Sequence, residues 1–424
     1  MRVLMNTFAA SSHLYPMVSL AWALHAAGHE VRVASQPDLA STIARTSLPA
    51  VSVGKPLEMA RQMQEDRSWQ DEDARAGVDM GENRPEMLTW DSVNRTFDWY
   101  LRNIFLHLNP DPVLHDIVEY AREWRPDLVL WDTMTFSGAV AARACGAAHA
   151  RLVYGQDFIG RMRGHFLRLR SEQPEHLRED PMAEWLGAAV ARSGGTFGED
   201  LIVGQFNLDA TTVPWLRLCT GANDVPVRNV PYTGAAPVPE WLPERPARPR
   251  ICLTAGLGGR EVTGDDWVPY QELFDAVADL DVDVVATLNA DQLTSVTNVP
   301  DNVRLFDFYP LDVLIPTCSA VISHCGSGAV ALAMAHGVPQ LMIPTYLWWD
   351  AAENARALAA RGAAIVLEEP ALTAHQLRSS LVRLLEDPSF RANAAQVRAE
   401  FLATPSPVDV VPRLEELTAA HRSR

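Results

Sequence analysis

The sequence predicts an α/β protein built as two doubly wound, parallel-sheet domains, and three observations carry that prediction. Short apolar runs of strand length alternate with helix-forming segments in both halves of the chain. A stretch over residues 225–249 holds seven prolines and follows neither the helical nor the strand period. The 424 residues exceed what one ordinary core organises and suit two domains of roughly 200 residues each.

The elements follow in order. A strand over residues 3–7, a helix over 16–27 closed by Gly28 and a strand over 31–34 make a βαβ opening, with His13 in the first loop. Apolar runs at 128–131 and 150–153 are short, as buried parallel strands should be. Beyond the prolines the alternation resumes with strand 251–254, helix 270–278 and strands 282–288, 303–306 and 320–322. A Gly326-Ser327-Gly328 turn then leads into helix 329–336, stopped by Gly337, followed by strand 340–343 and helix 351–361. Residues 413–421 have helical character. The division is therefore a first domain over 1–224, a linker over 225–249, a second domain over 250–404 and a terminal helix within 405–424.

Composition narrows the function. Hydrophobic residues make up 48% of the chain, ample for two cores, and the net charge of −17 sets it against nucleic acid or an anionic membrane, since either polyanion is repelled. The cysteines at 145, 219, 252, 318 and 325 lack CxxC spacing, which points away from a zinc site or a disulfide framework and fits a reducing cytoplasm. The first eight residues lack a secretion signal's basic region and long apolar core, and no run of about 18 apolar residues suggests a membrane span.

Residues 323–350, SHCGSGAVALAMAHGVPQLMIPTYLWWD, carry the most chemistry. A strand, a small-residue turn and a helix start form a phosphate cradle: N–H groups without helical acceptors and the positive end of the helix dipole favour an anion, and His324 adds a donor. Glycines at such a turn serve packing equally well. Asp350 reads either as an N-cap or as a carboxylate that accepts bonds from sugar hydroxyls beside the Trp349 indole.

With these residues in view, the segment resembles the donor-binding motif of nucleotide-sugar glycosyltransferases of the GT-B fold. Three further stretches resemble the members of that group that attach TDP-deoxysugars to polyketide antibiotics: SHLYPMVSLAWALHAAGHEVRVAS, WRPDLVLWDTMTF and VPVRNVPYTGAAPVPEWLPERPARPRICLT. The resemblance implies two Rossmann-like domains facing across a cleft and a last helix crossing back onto the first. It implies an inverting O-glycosyltransferase of antibiotic biosynthesis with a TDP-deoxysugar donor and an apolar polyketide aglycone as acceptor. No cofactor and no metal are expected, since no acidic cluster resembling a metal-diphosphate clamp appears and the helix terminus serves in its place; a haem-less monooxygenase-like auxiliary protein and a homodimer are partner options.

Site residues carry over onto matching positions. His13 and Pro16 match the first-loop motif, which makes His13 the general base, and Asp132 at a strand end orients it; taken alone, both also read as helix-capping residues. Phe308 occupies the place of an aromatic that stacks on the pyrimidine, though taken alone it reads equally as an aromatic filling the edge of a core, and Tyr309 occupies that of a residue bonding the base edge through its backbone. His324, Gly326, Ser327, Gly328 and Ala329 hold the diphosphate, and Trp349 and Asp350 the sugar. Ala329, Ala351 and Leu332 depart from a serine or threonine, a glutamine and a glutamate found in relatives, and each change suits a less polar donor. Residues 57–124 hold four of the twelve tryptophans, in a segment that suits either an aglycone pocket or ordinary core. Trp90, Phe97 and Tyr154 are the acceptor-binding candidates. The alternatives are a C-glycosyltransferase with Asp132 as base and a silent homologue acting as a partner protein.

Overall fold

Strands covered on both faces cannot alternate apolar with polar residues, and Leu128–Asp132 and Ala148–Val153 are accordingly buried at every position. They lie at the centre of the first of two units seen in a computed structural model of the chain. The structure describes residues 1–65, 77–218, 221–235, 237–242, 246–256, 258, 268–344, 350–368 and 372–422. The first unit comprises Met1–Thr211, Arg217–Val227 and Pro405–Arg424, and the second Thr212–Leu216 and Arg228–Thr404.

In the first unit β1 (Arg2–Asn6) leads through α1 (Ser11–Ala26) to β2 (Glu30–Ser35) and β3 (Ala50–Ser52). There follow α2 (Trp90–Tyr100), α3 (Asp111–Trp124), β4 (Leu128–Asp132), α4 (Ser137–Cys145), β5 (Ala148–Val153), α5 (Phe158–Ser171), β6 (Phe206–Asp209) and β7 (Val225–Pro226). The strand order is β3-β2-β1-β4-β5-β6-β7, and every pairing is parallel. The proline-rich stretch thus begins inside this sheet, with Pro226 on an edge strand where its missing N–H breaks no ladder.

One expectation needs correction. The first helix opens at Ser11, five residues before Pro16, so His13 lies in its first turn and not in a loop. Pro16 forgoes a single bond to the Ser12 carbonyl, a loss the helix bears close to its start.

In the second unit β8 (Arg250–Thr254), α6 (Tyr270–Val277), β9 (Asp283–Thr287), β10 (Val303–Phe306), β11 (Ala320–Ser323), α7 (Ser327–His336), β12 (Gln340–Met342), α8 (Ala351–Ala360), β13 (Ala364–Val366), α9 (Ala374–Glu386) and α10 (Pro388–Ala403) form a parallel sheet of order β10-β9-β8-β11-β12-β13 and its helices. Ile251, Val284, Ile322 and Leu341 pack against Phe274 of α6 and Leu377 and Leu381 of α9. Met342 meets Val330, Leu358 and Phe401 in a second cluster. The last helix, α11 (Val411–His421), belongs to the first unit. There the His421 ring lies 5.5 Å from Phe206, and the adjoining Arg422 pairs with Asp127 at 2.5 Å.

Both sheets reverse direction next to their first strand, between β1 and β4 and between β8 and β11. Open α/β sheets bind ligands at the carboxyl ends of strands flanking such a switch point. Among the described residues no helix is long and apolar enough to cross a membrane.

Candidate active site

At the switch point of the first unit, β4 ends in Asp132, which is 0% exposed. Its Oδ1 accepts the Met134 N–H at 2.9 Å, and its Oδ2 meets His13 Nδ1 at 2.8 Å. The Tyr154 hydroxyl, one residue past β5, donates to the same Oδ2 at 2.6 Å and also touches His13 Nδ1. An ionised carboxylate only accepts, so the hydrogen between it and the imidazole belongs to Nδ1. That leaves the Nε2 lone pair as the basic position. The His13 side chain is 14% exposed, with the Phe8 ring packed 4.1 Å away.

The loops that deliver these groups are pinned by two amides that sequence reasoning missed. Gln36, directly after β2, accepts the Ala9 N–H at 2.9 Å and donates to the Leu108 carbonyl at 3.2 Å. Asn109 accepts the Ser137 N–H at 2.9 Å and donates to the Met134 carbonyl at 2.8 Å. Gln36 could have been flagged by its place at a strand's carboxyl end. Asn109 had no such signal beyond its turn sequence, LNPDP.

The acceptor candidates divide. Tyr154 joins the His13–Asp132 pair. Trp90 and Phe97, on α2, pack 5.4 Å from Phe166 of α5, where Phe97 is buried and Trp90 is partly exposed.

At the switch point of the second unit, β11 runs into His324, Cys325 and Gly326, the last of which starts α7 with no side-chain cap. Ser327 and Gly328 form the first turn, and Ala329 is buried. Cys325 takes a left-handed backbone at φ 70°, uncommon for a residue with a Cβ, and donates its N–H to the Ser323 hydroxyl at 3.3 Å. Burial, followed by the Asp350 charge, pushes its thiol far up, so it stays protonated. The His324 ring sits between two glycines: a Cβ on either Gly256 or Gly326 would stand 3.0 Å from ring atoms. Gly256, after β8, was not read from the sequence, although the run TAGLGG marks it.

Phe308 is 42% exposed and lies over Gly234, whose φ of +82° and missing Cβ permit the approach. Tyr309 turns inward, 5% exposed, toward Phe306 and Trp241. Burial raises its phenol's pKa above the ordinary range. Leu332 of α7 joins the same core as Tyr309.

Asp350 precedes α8 but does not cap it; its Oδ2 accepts from the Asn354 amide at 3.0 Å. Loss of solvent raises its carboxyl pKa, partly offset by that bond. Trp349 lies outside the described residues. Among those described, no group of three or more His, Cys, Asp or Glu is placed to hold a metal ion.

Residues 22–256 match the family model described as erythromycin biosynthesis protein CIII-like, N-terminal domain, and residues 271–417 match the corresponding C-terminal domain. The chain belongs to this family. Relatives of this family member include the aclacinomycin-T 2-deoxy-L-fucose transferase of Streptomyces galilaeus, 50% identical over 430 residues that cover 100% of this chain and 97% of the relative. The 10-deoxymethynolide desosaminyltransferase of Streptomyces venezuelae is 45% identical over 422 residues, covering 100% and 98%. Glycosyltransferase VinC, solved in complex with DTDP, is similar in structure with a TM-score of 0.88 at 42% identity, covering 99% of this chain and 100% of that one. This family member is thus a glycosyltransferase, with the two parallel-sheet, Rossmann-like domains of the GT-B fold.

Proposed function

We propose that the enzyme transfers a deoxysugar from a TDP-sugar to a hydroxyl of an apolar polyketide aglycone, with inversion at the anomeric carbon. The observation that carries this reading is the 2.8 Å contact of His13 Nδ1 with the fully buried Asp132 carboxylate at the switch point of the first sheet. His13 Nε2 takes the proton of the acceptor hydroxyl. The freed oxygen forms its bond to the anomeric carbon as the bond from that carbon to the diphosphate oxygen breaks, and the electron pair leaves with TDP. Asp132 holds the imidazole in the basic tautomer and balances the imidazolium.

In the second unit the N–H groups opening α7, with His324, meet the charge on the departing diphosphate. No metal is assigned a role, and turnover that survives EDTA checks this. Phe308 offers its exposed face to the thymine, and the apolar Leu332 suits a nucleoside without a ribose 2′-hydroxyl. Asp350 and Trp349 are assigned to the sugar. Trp90 is assigned to the aglycone wall.

Both Asp132 oxygens already accept bonds, Oδ1 from Met134 and Oδ2 from His13 and Tyr154. A carboxylate so engaged orients a base better than it serves as one, which favours transfer to oxygen over transfer to an aromatic carbon. An auxiliary protein and a homodimer complete the proposal as partners. Full turnover by the purified chain alone would remove the first, and a monomeric mass by light scattering the second.

The test begins with thermal unfolding in TDP and in UDP. A ligand present at 100 times its Kd stabilises the native state by about 2.7 kcal/mol, and TDP is expected to raise the melting temperature more than UDP. Transfer is then assayed with TDP-2-deoxy-L-fucose on aclacinomycin T and TDP-desosamine on 10-deoxymethynolide, the substrates suggested by the relatives' names. No shift with either nucleotide and no glycoside from either pair would overturn the reading.

A further inference from the structure

The geometry points to Tyr154 as a positioning residue that fixes the His13 ring and Asp132 Oδ2 against each other; the inference rests on His13 being the base. Three polar atoms from three elements converge. Asp132 Oδ2, from β4, lies 2.8 Å from His13 Nδ1, from α1, and 2.6 Å from the Tyr154 hydroxyl, just after β5. That hydroxyl also touches His13 Nδ1.

A phenol has one hydrogen to give and lone pairs to offer. Tyr154 gives its hydrogen to Oδ2 and offers a lone pair to Nδ1–H, so all three contacts are satisfied together when the imidazole carries its hydrogen on Nδ1. With the hydrogen on Nε2, the Nδ1 lone pair would face the carboxylate and one contact would turn repulsive. The rings add a steric restraint: Tyr154 stands edge-on to His13 at 82°, with centroids 5.3 Å apart, which limits rotation of the imidazole.

The turn bearing Tyr154 is itself anchored on both sides. The Val153 carbonyl accepts the Ala210 N–H at 2.6 Å, and the Gly155 carbonyl accepts the Thr211 hydroxyl at 3.0 Å. Beyond it, Asp157 binds the buried Arg151 guanidinium at 2.8 and 2.5 Å and accepts the Gly160 N–H at 2.9 Å. A side chain serving only as an acceptor wall has no need to place its hydroxyl on the carboxylate.

The test uses full-length protein labelled with 15N-histidine, with the His13 signals assigned by their loss in His13→Gln. In the wild type, His13 should show a protonated Nδ1 and an unprotonated Nε2. Tyr154→Phe should displace the His13 nitrogen shifts, since the ring and Asp132 Oδ2 lose a shared partner, while the other eleven of the twelve histidines stay in place, reporting an intact fold. In transfer assays Tyr154→Phe should lower kcat about tenfold, the size of one hydrogen bond to a charged group, with the acceptor KM changed less than about twofold. Added to His13→Ala, it should cost nothing more, since it acts through the missing ring. Unchanged His13 nitrogen shifts in Tyr154→Phe, or an equal kcat loss in the His13→Ala background, overturns the inference. Failure of the underlying reading looks different: His13→Ala would then turn over at the wild-type rate while Tyr154→Phe still displaced the His13 nitrogens.

Discussion

The first unit equips its switch point with side chains: a buried carboxylate, an imidazole and a phenol drawn from three elements. The second equips the same topological position with main chain, where α7 starts at a glycine without a side-chain cap after a left-handed Cys325, and His324 is wedged between two glycines. The difference follows from the work assigned to each. Moving a proton requires a titratable group held in one tautomer, which only a network of oriented partners provides. Binding a diphosphate requires donors that keep their protons, and backbone amides meet that need without any side chain.

Substitutions at the two places should therefore fail differently. The largest effect is expected for His13→Ala, which should lower transfer at least about a hundredfold, as for a lost general base, while TDP binding by calorimetry stays unchanged. A parallel loss of TDP affinity would erase the distinction between the two regions. Next, Gly326→Ala places a Cβ 3.0 Å from His324 Nε2, at the turn assigned to the diphosphate. It should weaken TDP binding about tenfold, or 1.4 kcal/mol, with kcat at saturating donor lowered less than about threefold. An unaltered Kd would show that the turn does not hold the diphosphate.

The smallest effect concerns stability and the first unit alone. Burial holds His149 below its ordinary value near 6.5, despite its Asp200 partner, and its Nδ1 accepts from the Trp131 indole at 3.3 Å. The unfolded chain binds this proton more readily than the folded one, so the contribution is full above about pH 6.5 and is lost as pH falls below it. His149→Gln, which can keep the neutral pattern of one acceptor and one donor, should reduce the drop in melting temperature between pH 7 and 5.5 by about 2 °C. Identical pH profiles would assign that acid sensitivity to other groups.

What the sequence made legible was local. Strand 128–131, with Asp132 at its end, and the turn 326–328 could be placed because apolar runs and glycines act on their immediate neighbours. His13 needed the motif around it, and its position was misjudged by a few residues because Pro16 resembles a helix start. The residues that escaped depend on distant partners. Tyr154 was read as an acceptor-binding candidate, but its place beside His13, 141 positions away, was not, and Gln36 reaches Leu108 across 72. The strand read at 150–153 begins two residues earlier, and its buried His149 and Arg151 find their charged partners only in Asp200 and Asp157. Edge strands β3 and β7, three and two residues long, carry too little pattern to be read.

The return of α11 to the first unit has a practical consequence for engineering. Along the chain, the second unit is an insertion rather than a tail. An exchange of this domain between relatives therefore needs two main junctions, near residues 227 and 404, and the excursion over Thr212–Leu216 must travel with it. A hybrid joined once, after the proline-rich stretch, would seat a foreign last helix beside Phe206 and Asp127. Its losses would then be misread as donor incompatibility when they arise in the first unit, which carries His13.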